Sequence, residues 1–187
     1  RNAAIAALIL VLLFVLILNI QNIKSFFIRE ELPEPEEYYY NDIYLFTKEG
    51  SLWKTELIFG NKHIRIPLHF GPRDLENITL EGSVDERFRN SSKLYITFEP
   101  EGSLGFVALA VSELSLNLAQ AMNIGLIPAC TTNSTEECYG IPIITCNNTD
   151  KGVIYFKQDN EPRVIMDGNC ITLQGRGNDL VRAVDRL

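Results

Sequence analysis

The sequence predicts a mixed α/β or α+β head behind a single N-terminal transmembrane helix, the head being a mixed sheet packed with about two helices. Three observations lead there. Ala3 to Leu18 is an unbroken apolar run, inside a stretch from Asn2 to Ile23 that carries no charge. Strand-type segments stand on both sides of one apolar segment of helical length, Leu104 to Asn123. A second helical pattern closes the chain after a further set of strands. Strands interleaved with helices favour an α/β layer over two stacked sheets. An immunoglobulin-like β-sandwich head is the alternative, and it would have to accommodate the long apolar helix.

A membrane-spanning helix needs roughly 20 apolar residues to cross about 30 Å of hydrocarbon. Asn2 to Ile23 meets that length, with Asn19, Gln21 and Asn22 where an interface begins. A cleaved secretory signal has an apolar core of about 7–15 residues and a small-residue cleavage site. This run is longer, and LNIQNIKSFF offers no such site. A buried core helix would carry a polar stripe. Residues 1–31 therefore read as an anchor helix and its extension, meeting the bilayer through residues 3–20. Pro33 and Pro35 stop the helix, because proline removes a backbone donor. Residues 32–42 read as an acidic Pro/Tyr stalk, with Tyr38, Tyr39 and Tyr40 packing at a domain edge. The globular domain is expected over 43–187. The chain does not begin with Met and stops mid-pattern at Leu187, so further sequence is expected at both ends.

Within the head, Ile43-Tyr-Leu-Phe is a short strand. Ser51 to Phe59 and His63 to Phe70 form a hairpin through Gly60-Asn61-Lys62. In its second arm Ile64, Ile66, Leu68 and Phe70 share one face by the period of two. His63, Arg65 and His69 share the other and read as exposed; the two histidines lie about 20 Å apart along a strand and cannot share an ion. Leu75 to Val84 holds another strand, and Lys93 to Phe98 a stronger one. In the Leu104–Asn123 helix only Glu113 is charged, so the helix is expected to be largely covered. Ser103 is the expected start cap and Gly125 the end cap. A second membrane span is disfavoured by Ser112, Glu113, Ser115, Asn117 and Gln120 at bilayer depth. Ile141 to Cys146, Val153 to Lys157, Arg163 to Met166 and Cys170 to Gln174 read as strands. Asn178 or Asp179 caps a last helix, with Leu180, Val181, Val184 and Leu187 in one stripe.

Four cysteines, Cys130, Cys138, Cys146 and Cys170, predict two disulfides in an exported domain, with three pairings open. Four N-x-S/T sequons place candidate N-glycans on Asn77, Asn90, Asn133 and Asn147, two of them inside the cysteine-rich segment 130–146 or beside it. Positive charges flanking the anchor are too few to orient it. Sequons and cysteines orient it instead: N-terminus cytoplasmic, C-terminal domain outside. The net charge is −7 and no basic patch occurs, which excludes nucleic acid as a partner class.

The chain carries no G-x-S-x-G, no H-E-x-x-H, no phosphate loop and no C-x-x-C-H. GRGND at 175–179 reads as a turn into a helix. No C-x-x-C occurs and the histidines lie far from the cysteines, so no zinc site is predicted. Cysteines held in disulfides supply no thiolate. Asp85-Glu86 and Glu136-Glu137 read as solvated charge, and Trp53 as core. No catalytic residue, metal ligand or cofactor is assigned.

Two resemblances follow from particular segments. IPACTTNSTEECYGIPIITC, VIYF, DGNCITLQG and NDLVRAVDRL, in the half from Lys93 to Leu187, resemble membrane-anchored exported proteins of archaea. That resemblance implies one recurrent surface domain and N-x-S/T glycosylation, and it implies no activity. The apolar N-terminal helix with a globular head also resembles type IV pilin-like subunits. Bacterial pilins carry Glu at the fifth mature position, where this chain has Ile5; archaeal pilins often lack it.

The expected function is that of a structural or interaction protein of the cell envelope, not an enzyme. It would be a membrane-anchored, glycosylated, disulfide-braced subunit of a larger surface assembly, meeting other envelope subunits or copies of itself. A pilin-like filament subunit, an anchored solute- or glycan-binding module and an anchored enzyme are the alternatives.

Overall fold

A computed structural model describes residues 36–102 and 104–187. The expected anchor, residues 1–31, and the expected cap Ser103 lie outside them. The described chain forms two sheets with few helices.

The first sheet is an antiparallel meander of β1 (Glu37–Tyr40), β2 (Tyr44–Glu49), β3 (Leu52–Phe59) and β4 (Lys62–Leu68), in that order. Its turns are written locally. Asn41 and Asp42 both take positive φ, 52° and 57°, and Ile43 N–H donates to Tyr40 C=O at 3.2 Å. A two-residue primed turn needs that pair of conformations, and Asn and Asp tolerate them. Gly60, at φ 60°, opens the two-residue turn between β3 and β4, where it is the one residue of positive φ. Alternation then puts Tyr38, Phe46, Trp53, Thr55 and Ile66 on one face. Tyr38 meets Trp53 edge-on at 5.0 Å between centroids and stacks on Phe46 at 5.9 Å. The Arg73 guanidinium lies 4.0 Å over the Tyr38 ring. Trp53 is core, as expected. Residues 37–40, read as stalk from their acidic and Pro-rich surroundings, are instead the edge strand of this sheet. The reason is that inward aromatic packing outweighs the composition of the segment.

The second sheet contains β5 (Thr79–Val84), β6 (Lys93–Phe98), β7 (Gly125–Cys130), β8 (Val153–Gln158), β9 (Arg163–Gly168) and β10 (Cys170–Gly175). Their order is β5-β9-β10-β8-β6-β7. Strands β7, β6, β8 and β10 run parallel, while β9 runs antiparallel to β10 and parallel to β5. Three helices accompany it: α1 (Glu86–Arg89), α2 (Leu104–Met122) and α3 (Asn178–Arg186). Helix α2 is the crossover between the adjacent parallel strands β6 and β7. Parallel crossovers exclude the immunoglobulin-like alternative, which has none. Register aligns Phe98, Phe156, Leu173 and Val164 across four strands, with Ile96, Ile154, Ile171 and Met166 as the next row. These rows pack with Val107, Ala110 and Leu114 of α2 and with Leu180, Val181 and Val184 of α3 into one core.

Several boundaries differ from expectation for local reasons. Asn123, at φ 54°, provides the left-handed residue that ends α2, and Gly125 starts β7. Gly177, at φ 60°, precedes α3, and neither Asn178 nor Asp179 caps it. Of the segment Leu75–Val84, only Thr79–Val84 is strand; Pro72–Leu75 is a 3-10 turn. Asp85 is not simply solvated: its carboxylate accepts from the Arg87 and Phe88 amides and caps α1. Ile141–Cys146 makes only an isolated bridge between Ile143 and Cys130. Pro142 has no N–H to give, and the Asn148 side chain takes Thr145 N–H (2.8 Å) and Ile143 C=O (3.1 Å) for a turn.

Replacing Phe156, fully buried in the middle of the sheet, by Ala is expected to cost about 3–5 kcal/mol. Tyr39→Ala, on the open face at 61 % exposure, is expected to change stability by no more than about 0.5 kcal/mol. Urea unfolding of the two variants checks the assignment of inward and outward faces.

Candidate functional site

The four cysteines close as Cys130–Cys138 and Cys146–Cys170, resolving the three open pairings. The first closes a small loop just after β7. The second fastens the long β7–β8 connection to the start of β10. That connection is also held by hydrogen bonds to the back of the sheet. Buried Thr97 Oγ1 donates to Ile144 C=O at 2.7 Å, and buried Asn169 Nδ2 donates to Thr149 and Lys151 C=O at 3.1 and 2.8 Å. None of the four cysteines is a free thiol.

Asn77, Asn90, Asn133 and Asn147 all lie at exposed positions. Asn77 Oδ1 accepts from Arg182 at 2.8 Å, so that side chain is oriented by α3. The other three stand on turns and loops.

Helix α2 is fixed by its single charged residue. Glu113 is buried and points away from solvent. Its Oε1 accepts from the His69 backbone N–H at 3.0 Å, and its Oε2 lies 2.6 Å from His69 Nδ1. One residue on, Phe70 N–H donates to Asp185 Oδ2 of α3 at 2.7 Å. Two carboxyl groups from two helices thus take the amides just beyond β4. Burial pushes the Asp185 carboxyl up to about 8, and the neighbouring Glu113 charge adds to the effect. His69, read as an outward strand residue, sits past the end of β4 and contacts this pair. The sequence signal was present: a lone acid in an apolar helix must find a buried partner.

An imidazole oriented by a buried carboxylate is half of a nucleophile-activating arrangement. Among the described residues no Ser, Thr or Cys is recorded hydrogen-bonded to His69. Nor does any group of three or more His, Cys, Asp or Glu side chains there fit a metal ion. Glu113 and Asp185 together clamp the His69 and Phe70 amides.

With Glu113 turned inward, the outer face of α2 has no charge at all. Phe106 and Leu109 are each 38 % exposed and Leu116 is 47 % exposed, with Ala108, Ser112 and Ala119 between them. The helix is thus covered on one side only, contrary to the expectation of a largely covered helix. The extra apolar residues do not serve the core. By length and composition alone α2 could cross a membrane; here it links two neighbouring parallel strands and is bonded to β4 through Glu113 and through Asn117 Nδ2 to Pro67 C=O at 3.2 Å.

At the carboxyl ends of β6 and β8, Glu99 accepts from the Tyr155 hydroxyl at 2.6 Å and from the Gln158 N–H at 3.2 Å. Burial and the adjacent Glu99 carboxylate push the Tyr155 phenol well above its ordinary value. That pairing is self-satisfied and leaves no free group for a ligand.

Comparison with known proteins finds no matching family model, no matching curated protein and no matching solved structure.

Two outcomes are expected. Replacing Cys146 and Cys170 together by Ser, which opens a loop with a sequence separation of 24, should cost about 3 kcal/mol on loop-closure entropy; chemical denaturation measures it. Asp185 is neutral in the folded chain up to about pH 8 but ionises near 3.8 when unfolded. Unfolding is thereby favoured as pH rises from about 4 to about 8, and the effect levels off above. Asp185→Asn should flatten that decline in melting temperature, whereas Asp159→Asn should leave it in place.

Proposed function

We propose that this chain is a structural or interaction protein of the cell envelope, a subunit of a larger surface assembly. In this reading residues 3–20 lie in the bilayer, the head stands outside, and Asn77, Asn90, Asn133 and Asn147 carry N-glycans. The observation that carries it is the outer face of α2, an apolar helix surface whose only charge is turned inward. A surface of this kind on an exported head is what a subunit contact requires. Two disulfides in one domain agree with an oxidising compartment, and the exposure of all four sequon asparagines leaves room for glycan.

The test is intact-complex mass spectrometry of the full chain extracted from its native membranes. A second chain, whether another subunit or another copy, and added glycan mass are expected. Leu109→Lys with Leu116→Lys should weaken that association tenfold or more, since each buried leucine contributes about 1.5–3 kcal/mol. Circular dichroism and melting temperature should stay unchanged. An unglycosylated, monodisperse monomer would sink the reading, as would a double-lysine variant that keeps its partner.

A further inference from the structure

A cavity of about 490 Å³ lies on the inner side of α2, away from the face just described. Leu57 of β3, Ile66 of β4, Leu118 and Met122 of α2 and Ile154 of β8 are among its apolar walls. Three polar side chains also line it: Thr55, Asn117 and Asp185. Each has one buried oxygen with no hydrogen-bond partner, namely Thr55 Oγ1, Asn117 Oδ1 and Asp185 Oδ1. Their other bonds fix them in place. Asn117 Nδ2 is committed to Pro67 C=O, and Asp185 Oδ2 to Phe70 N–H. Thr55 is only 7 % exposed, so water does not serve its hydroxyl from outside.

Water is a poor occupant of such a space. A buried water needs about three polar partners, and an apolar cavity of about 150 Å³ stays dry and admits benzene. This cavity has roughly three times that room and three polar atoms in all, enough for one ordered water. Leaving each of those oxygens unpaired is costly as well. The size falls within the usual range of small-molecule sites, about 300–1,000 Å³, and the mix of an apolar wall with few polar groups is their usual composition.

We infer that this cavity binds a neutral apolar molecule ended by one hydroxyl or amide group. Asn117 Oδ1 accepts a hydrogen bond from such a head, while Thr55 Oγ1 can both accept and donate. An anionic head would have to shed its water among walls that carry no positive side chain, and the one carboxyl a cationic head would meet, Asp185, is already committed through Oδ2 to Phe70 N–H. The same chemistry can come from a membrane lipid alcohol or from a soluble one. The site does not depend on the assembly reading, because it lies on the other side of α2.

The experiment uses the full chain in lipid nanodiscs and three photoreactive probes of equal chain length, ended by a hydroxyl, a methyl or a trimethylammonium group. The hydroxyl probe is expected to label peptides around Leu118 and Ile154, at a half-saturating concentration at least tenfold below the other two. Thr55→Val should weaken hydroxyl-probe labelling several-fold without lowering the melting temperature, because that hydroxyl has no partner to lose. Leu118→Trp, filling the cavity, should abolish labelling; Ala121→Leu is the milder filling variant if the first does not fold. Labelling confined to residues 1–31, equal labelling by the three probes, or no effect of Thr55→Val overturns the inference. An alcohol recovered one-to-one from protein purified out of its own membranes assigns a membrane source, and labelling only by probe added from the aqueous phase assigns a soluble one.

Discussion

Past Leu68 the chain leaves β4 with two amides, those of His69 and Phe70, and the acceptors come from helices. Glu113 of α2 takes one and Asp185 of α3 takes the other. Buried amides must be paired, and no strand is there to pair them. The two carboxyl groups therefore do what a neighbouring strand would do, and they tie the meander to the α/β layer. Because they sit close together and away from water, the Asp185 carboxyl holds its proton more tightly than a free one does. The meander, both long helices and the inner wall of the cavity all meet at this point.

The placement of Glu113 also explains the two sides of α2. A helix with one charge can satisfy it inward only by leaving its outer face uncharged. Phe106, Leu109 and Leu116 on that face then remain in water. The core takes Val107, Ala110 and Leu114 from this helix, with Leu104, Val111 and Leu118 packed against it, so the exposed apolar residues ask for an explanation outside the head. On the inner side, Asn117 spends its amide nitrogen on Pro67 and leaves its oxygen to the cavity.

Much of this architecture was legible. Periodicity located β3, β4, β6, β8, β10 and both long helices, because each has a strand-type apolar run or an apolar pattern of helical length and spacing. The asparagines of the four N-x-S/T motifs are exposed, since such polar motifs favour turns. What escaped was set by distant residues. Glu37–Tyr40 looks like stalk until Phe46 and Trp53 are brought beneath Tyr38. Ile141–Cys146 looks like a strand until Asn148 takes its hydrogen bonds. The disulfide pairing depends on β10 lying beside β8, which no local spacing encodes. His69 and Asp185 are 116 residues apart in the chain, and the cluster they share is visible only once α2 and α3 are packed.

The clamp on β4 has a consequence for the order in which the head can be completed during synthesis. The meander is the first part of the head to emerge, yet its last amide waits for Asp185, which lies 115 residues further on. Arg182 and Arg186 make similarly long returns, to Asp74 and Asn77 and to Ile78. Contacts of such sequence separation slow folding, because the loop must close before the bond is gained. The emerging sheet therefore stays unfinished until α3 has been made, and the head then locks as a whole. A chain stalled before that helix would hold a paired meander with an open end, a surface that quality control can recognise.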